Sequence, residues 1–130
     1  MKFTLKAVCK SISVNPVDNG FSILDIFEEV KSNIFPFLFQ SFNVIYQTIK
    51  DKSESSEIPV VVEIKNNDKK IGEVNAVLVY DKNTNRNRFV VTVPSLVVEQ
   101  PGELSFTMYY NNRKKHEKIS VIISKMETPA

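Results

Sequence analysis

The chain has 130 residues and a mass of 14.9 kDa, which is one ordinary domain and too short for two. Apolar residues make up 42% and charged residues 25%, an average globular mixture that argues against both disorder and a membrane protein. Lys and Arg number 17 against 15 Asp and Glu, too even for bulk attraction to nucleic acid, and the single Cys and single His exclude an internal disulfide and any site needing two of either.

The opening residues Met1 to Cys9 place small apolar side chains ahead of a Cys, as a lipoprotein signal does. Lys6 interrupts that run and Lys10 follows it, so the expectation is a first β-strand over residues 3–14 with Cys9 as a small buried residue. The segment Asn15-Pro16-Val17-Asp18-Asn19-Gly20 turns the chain. Residues 21–30 then form a second strand, with a helical turn over 28–33 as the alternative. Phe35-Pro36-Phe37 marks a loop, and residues 39–49 give the third strand. Residues 50–57, charged and rich in Ser, form a solvated loop.

Beyond Pro59 the β-branched pattern tightens. Strands are expected over 60–65, 71–80 and 88–98, with Pro94 marking a break or an edge position. Gln100-Pro101-Gly102 sets Pro and Gly for a turn whose last central residue has φ > 0. After it Leu104, Phe106, Met108 and Tyr110 alternate with Glu103, Ser105, Thr107 and Tyr109, the clearest half-buried strand in the chain. A hairpin at Asn111-Asn112-Arg113 leads to Ile119, Val121 and Ile123 on the last strand. Asn66-Asn67 and Asn111-Asn112 both fall between apolar strands, where Asn suits the left-handed turn of a hairpin. The resulting fold class is mainly β: a single antiparallel β-sandwich of about eight strands over residues 1–125, with a flexible tail at 126–130.

The order of these signals resembles an uncharacterised bacterial family, a domain of unknown function with an immunoglobulin-like fold. The residues that carry the resemblance are Ala7-Val8-Cys9-Lys10, Gly20-Phe21-Ser22-Ile23-Leu24-Asp25-Ile26-Phe27, Phe35-Pro36-Phe37, and Glu99-Gln100-Pro101-Gly102-Glu103-Leu104-Ser105-Phe106. Asp25 stands where the family has a small residue and Lys10 where an acid is common. The resemblance implies an immunoglobulin-like sandwich and brings no catalytic residue with it.

Chemistry is sparse. His116 sits in the charged run Arg113-Lys114-Lys115-His116-Glu117-Lys118, a setting for a solvated imidazole rather than a general base. Cys9 lies in an apolar strand, where its thiol pKa should rise. Gly20, Gly72 and Gly102 are isolated, which argues against a phosphate-cradling loop. Asp25, Glu28 and Glu29 offer an acidic patch for a metal or for hydrolytic acid–base work; the plainer reading has Asp25 facing solvent or a Lys on a neighbouring strand.

Basic residues group at Lys82, Arg86 and Arg88 and again at Arg113, Lys114, Lys115 and Lys118. Should the two tips share one end of the sandwich, they offer a site for acidic partners or a phosphate backbone. Phe35 and Phe37 either plug one end of the core or form a docking patch. Thr107 and Tyr109, on the outward face of their strand, form a homodimer surface if that strand lies at an edge or exposes its outer face. The expected function is a non-catalytic, cytoplasmic protein-binding or assembly module with no cofactor, no membrane segment and an unidentified protein partner; nucleic acid is disfavoured. The alternatives are a small metal-dependent or hydrolytic enzyme at Asp25, Glu28 and Glu29, and weak binding of nucleic acid or acidic partners by the basic tips.

Overall fold

A computed structural model describes residues 1–18 and 20–127. Nine strands follow one another: β1 (Lys2–Val14), β2 (Phe21–Ile26), β3 (Glu29–Ser32), β4 (Phe37–Ile49), β5 (Glu57–Asn66), β6 (Lys69–Val79), β7 (Arg86–Val98), β8 (Gly102–Tyr110) and β9 (Lys115–Lys125). The described residues contain no helix, and so none long and apolar enough to cross a membrane. The strands form two sheets, ordered β2-β1-β4-β7 and β3-β9-β8-β5-β6. Asn19, in the expected first turn, and residues 128–130 of the expected tail lie outside the described residues.

One expected strand is two. The Phe27 N–H donates to the Val8 carbonyl at 2.7 Å, in the first sheet, while the Glu28 carbonyl accepts the Ile122 N–H at 2.9 Å, in the second. The chain therefore changes sheets between two consecutive residues, with no Gly or Pro to mark the crossing. β3 then runs parallel to β9, from Glu29↔Ile122 to Ser32↔Lys125. The other pairings are antiparallel. No helical turn forms at 28–33.

The two inner faces meet in one core. Phe42, Val44 and Tyr46 of β4 pack with Val62 and Ile64 of β5 and with Leu104, Phe106 and Met108 of β8. The period of two in β8 is what the sequence leads one to expect, and Leu104, Phe106 and Met108 are fully buried. Tyr46 is fully buried, and its hydroxyl donates to the Phe106 carbonyl at 2.9 Å, which joins the two sheets across the core.

The Asn pairs act as turns. Asn67, Asn111 and Asn112 all have φ between 53° and 56°, a conformation their short polar side chains tolerate. Asn66 and Asn67 also hold a second loop. Asn66 Oδ1 accepts the N–H groups of Glu99 and Gln100 at 3.2 and 3.1 Å, and Asn67 Oδ1 accepts that of Glu103 at 2.9 Å. Gly102, at φ 131°, lies so close that a Cβ there would stand 2.0 Å from Asn67 Oδ1. The turn between β5 and β6 thus fixes where β8 begins.

A third layer covers part of the first sheet. Ala7, Cys9 and Ile45 are 5%, 0% and 0% exposed, yet they lie outside the core cluster, which takes their neighbours Val8, Val44 and Tyr46. They point away from the second sheet. The far end of the β1–β2 hairpin bends over this outer face and brings Phe21 to Arg88 of β7.

Candidate functional site

The loops at the two ends of the sandwich differ in what they gather. Residues 50–56, 80–85 and 111–114 share one end with Met1: the Lys50 N–H donates to the Asn85 carbonyl at 2.9 Å, the Tyr80 hydroxyl lies 2.9 Å from Met1 Sδ, and the Phe3 and Tyr110 rings are 5.8 Å apart. The two basic tips are therefore at the same end. Their members are not equivalent. Arg88 is turned under Phe21, and Lys118 bonds Glu103 at 2.9 Å. Arg113 reaches back to Glu63 and Glu73 at 3.0 and 3.4 Å, and these hydrogen-bonded carboxylates hold its proton more tightly than usual. Lys82, Arg86, Lys114 and Lys115 form no ion pair within 4.0 Å among the described residues.

At this end β8 stops at Tyr110 while β5 continues. The last pair between them is Val61↔Tyr109, whereas β5 pairs with β6 as far as Glu57↔Val79. From Glu57 to Val60 the β8 side of β5 is an open strand edge. A groove of about 680 Å³ lies there, and its lining includes Pro59, Val61, Tyr109, Arg113, Lys115 and Glu54. Tyr109 stands beside the Arg113 guanidinium, 5.4 Å from its ring centroid, and beside the His116 ring at 5.7 Å. A flat aromatic face beside a guanidinium is thereby held at the rim.

Glu54 closes the far wall. Burial pushes its carboxyl up, but hydrogen bonds from the Asp51 N–H and the Met1 amine more than offset this, and the group sits below its ordinary value. Tyr110 forms the inner wall; burial raises its hydroxyl, and the nearby Glu117 and Glu54 carboxylates act in the same direction. The groove has hydrogen-bonding walls and an apolar floor at Pro59 and Val61.

Of the residues singled out from sequence, Tyr109, Arg113 and Lys115 come together here, and Lys114 lies on the adjoining tip. Thr107 does not join them. β8 lies between β5 and β9, and Thr107 is 7% exposed between its cross-strand neighbours Glu63 and Lys118. Thr107 and Tyr109 are therefore not at a sheet edge, as one form of the expected dimer contact requires: the backbone of β8 is already paired on both sides.

Phe35 and Phe37 lie at the opposite end, where β4 begins. Both are half-buried against the core, their rings 5.5 Å apart and edge to face, in a series that continues through Phe39, stacked on Phe42 at 4.0 Å. They plug that end of the sandwich. Pro59, Val61 and Glu54 were not apparent as groove residues, because nothing in the sequence tells that β8 ends before β5 does.

The acidic patch does not assemble. Asp25 is exposed at φ 56°, while Glu29 contacts Lys31 at 3.5 Å and the Ser124 hydroxyl at 3.2 Å. Among the described residues no three His, Cys, Asp or Glu side chains are grouped to hold a metal. Cys9 is buried, and burial raises its thiol as its apolar strand implies. His116 is exposed.

A model of a family of unknown function (DUF6941) matches residues 5–122. No curated protein and no solved structure matches the chain.

Proposed function

We propose, for a chain that belongs to DUF6941, a family of unknown function, that it is a non-catalytic binding module whose docking surface is the groove between Pro59 and Tyr109. The observation that carries this reading is the open edge of β5 from Glu57 to Val60, left where β8 ends at Tyr110. Pro59 has no N–H and the Glu57 N–H is given to Ser55 Oγ at 3.2 Å, so this edge presents carbonyl acceptors, and an extended segment would donate to them while the side chains of the groove select its sequence. Tyr109 and Arg113, residue types in which binding energy concentrates, stand at the rim, and Lys115 adds positive charge beside them. An intracellular location is part of the reading, supported by a single buried thiol in place of disulfides.

An immunoglobulin-like classification belongs to the same proposal. The strands β1-β4-β7 and β6-β5-β8-β9 follow the order of the two sheets in such sandwiches, with β3 beside the final strand. The disulfide and buried Trp of antibody domains have no counterpart, since the chain has one Cys and no Trp.

Selection of extended peptides from a displayed library against the whole chain tests the docking surface. Enriched peptides should lose affinity about tenfold or more on Tyr109→Ala or Lys115→Glu. Peptides that bind these variants as well as the parent, or no enrichment at all, would count against the groove.

A second reading is supported by the common position of the basic tips: Lys82, Arg86, Lys114 and Lys115 offer a cationic end for an acidic partner or a phosphate backbone. Its sign is salt dependence. Binding to a polyanion column should weaken steeply with added salt and be lost when Lys114 and Lys115 are replaced by Glu.

A further inference from the structure

The open edge of β5 has an end as well as a side. Main-chain groups of alternate residues in a strand turn to opposite neighbours. In β5 the even-numbered residues turn to β6, where the Ser56 carbonyl accepts the Tyr80 N–H at 2.9 Å. The odd-numbered residues turn to β8, and just past the strand the Asn67 N–H donates to the Glu103 carbonyl at 2.7 Å. Beyond Val61↔Tyr109 the next odd positions are Pro59 and Glu57. Were β8 to continue, Asn111 would face Pro59, which has no N–H to give it. Asn111, Asn112 and Arg113 instead turn away at φ 55°, 53° and 63°, and the Asn111 carbonyl accepts the Lys114 N–H at 3.1 Å.

The Pro59 and Glu57 carbonyls are thereby left on the open side, about 6.8 Å apart at two strand steps. No turn or side chain among the described residues donates to either. A strand laid on this edge cannot run through, because toward Val61 its path is taken by β8. One end of the occupant therefore lies beside Pro59. An antiparallel segment arrives there with its amino end, a parallel one with its carboxyl end.

The edge chooses between them, because it accepts and does not donate. An α-ammonium brings donors and no acceptor, whereas an α-carboxylate brings acceptors only. Charge in the lining does not reverse this choice. Arg113 is held by Glu63 and Glu73, and the Met1 amine by Glu54. That leaves Glu57 and Lys115, whose opposite charges offset.

We infer that the groove, on its reading above as a docking site, takes the free amino terminus of an extended segment antiparallel to β5. The α-ammonium donates to the Pro59 carbonyl and the N–H of the third residue to the Glu57 carbonyl. Residues directly opposite in such a pair share a face of the sheet. The first side chain therefore rests on Pro59 beside Tyr109 and is apolar. The third stands beside the exposed Glu57 carboxylate, which forms no ion pair among the described residues, and is Lys or Arg.

Affinity selection on the whole chain from three pools of random-sequence hexapeptides tests this, one with a free amine and an amidated carboxyl end, one blocked at both ends, and one acetylated with a free carboxylate. The free-amine pool should enrich, with Lys or Arg at the third position. Acetylating an enriched peptide should weaken it about tenfold or more. Affinity should also fall as pH rises past about 8, where an α-amino group loses its proton. Glu57→Gln, with circular dichroism unchanged, should remove the preference for a basic third residue and keep the need for the amine. Equal enrichment of doubly blocked peptides that Tyr109→Ala weakens would keep the groove and overturn the terminus. Enrichment from the carboxylate pool alone would put the opposite chain end there and overturn it too. Free-amine peptides that bind Tyr109→Ala and Glu57→Gln as well as the parent would place the amine site elsewhere, and no enrichment from any pool would overturn the groove and the terminus together.

Discussion

The guanidinium carbon of Arg88 lies 3.6 Å from the ring centroid of Phe21, although their strands stand at opposite edges of one sheet with β1 and β4 between them. Strands sit about 4.8 Å apart, so a flat sheet would leave the two side chains out of reach. The contact therefore requires the hairpin to bend back over the outer face. Main-chain pairing of β1 to β4 ends at Cys9↔Asn43, with Asn43 Nδ2 donating to the Lys10 carbonyl at 3.1 Å just beyond. Past that point Phe21 and Arg88 help to hold the hairpin down.

Phe21→Ala or Arg88→Ala should free the hairpin and uncover the layer it protects. A desolvated cation on an aromatic face contributes about 1–2 kcal/mol, and loss of that order is expected in chemical denaturation. The sharper readout is Cys9, whose thiol is buried and raised by that burial. Its rate of modification by an aromatic disulfide reagent should increase in both variants, and Arg88→Lys should fall between them and the parent. An unchanged rate would show that the hairpin is held elsewhere.

The loop at the start of β8 depends on the Asn66–Asn67 turn. Asn66 is 6% exposed and bonds the backbone of Glu99, Gln100 and Glu103. Asn66→Ala leaves those groups without their partner and should cost about 2–4 kcal/mol, against roughly 1 kcal/mol for Asn112→Ala on the exposed hairpin. Gly102→Ala should be worse than either single loss of a bond, because its Cβ meets Asn67 Oδ1 in a backbone conformation that disfavours a side chain. Adding Asn67→Ala should recover part of that loss by removing the oxygen. Equal stabilities of Asn66→Ala and Asn112→Ala would dismiss the latch.

Acid should destabilise the outer face of the second sheet. Glu103 is held below its ordinary value of 4.5 by hydrogen bonds from Lys118 and Ser120, at 2.9 Å each. A carboxyl lowered in the folded state contributes its stability above the unfolded value, and loses it as pH falls through the lowered one. Stability should therefore decline as pH drops below 4.5. Because Glu103 is well exposed, solvent keeps the effect small. Glu103→Gln should flatten the acid limb measured by urea denaturation; an acid limb of unchanged slope would assign it to other carboxylates.

Alkali should act through the core. Burial raises the Tyr46 hydroxyl far above its ordinary value of 10, with the Glu117 carboxylate adding to it. Burial also raises Tyr80 and Tyr110. A phenol raised on folding contributes stability that is present below the unfolded value and lost as pH climbs. Absorbance titration should show these three ionising together with unfolding rather than near pH 10. Tyr46→Phe should cost about 1 kcal/mol through the lost bond to Phe106 and remove one proton from that step. Ionisation of all four tyrosines in a still-folded chain would contradict this.

The sequence by itself determined the β class, most of the strands and much of the core. Alternation in β8 assigned Leu104, Phe106 and Met108 to the inside, Asn placed the hairpin turns, and Pro94 marked an edge, because these signals are local and depend only on the period of a strand and on backbone sterics. Tertiary structure decided the rest. The change of sheet at Phe27 and Glu28 leaves no local mark, since apolar residues serve both sheets equally well. The groove exists because β8 ends before β5, a difference between strands about 50 residues apart in the chain, as in the pair Val61↔Tyr109. Thr107 and Val77 have the same outward parity along their own strands, yet one is buried and the other exposed. Their fates differ because β8 has a neighbour on each side and β6 has only one; strand order is set by long-range pairing, which no local pattern encodes.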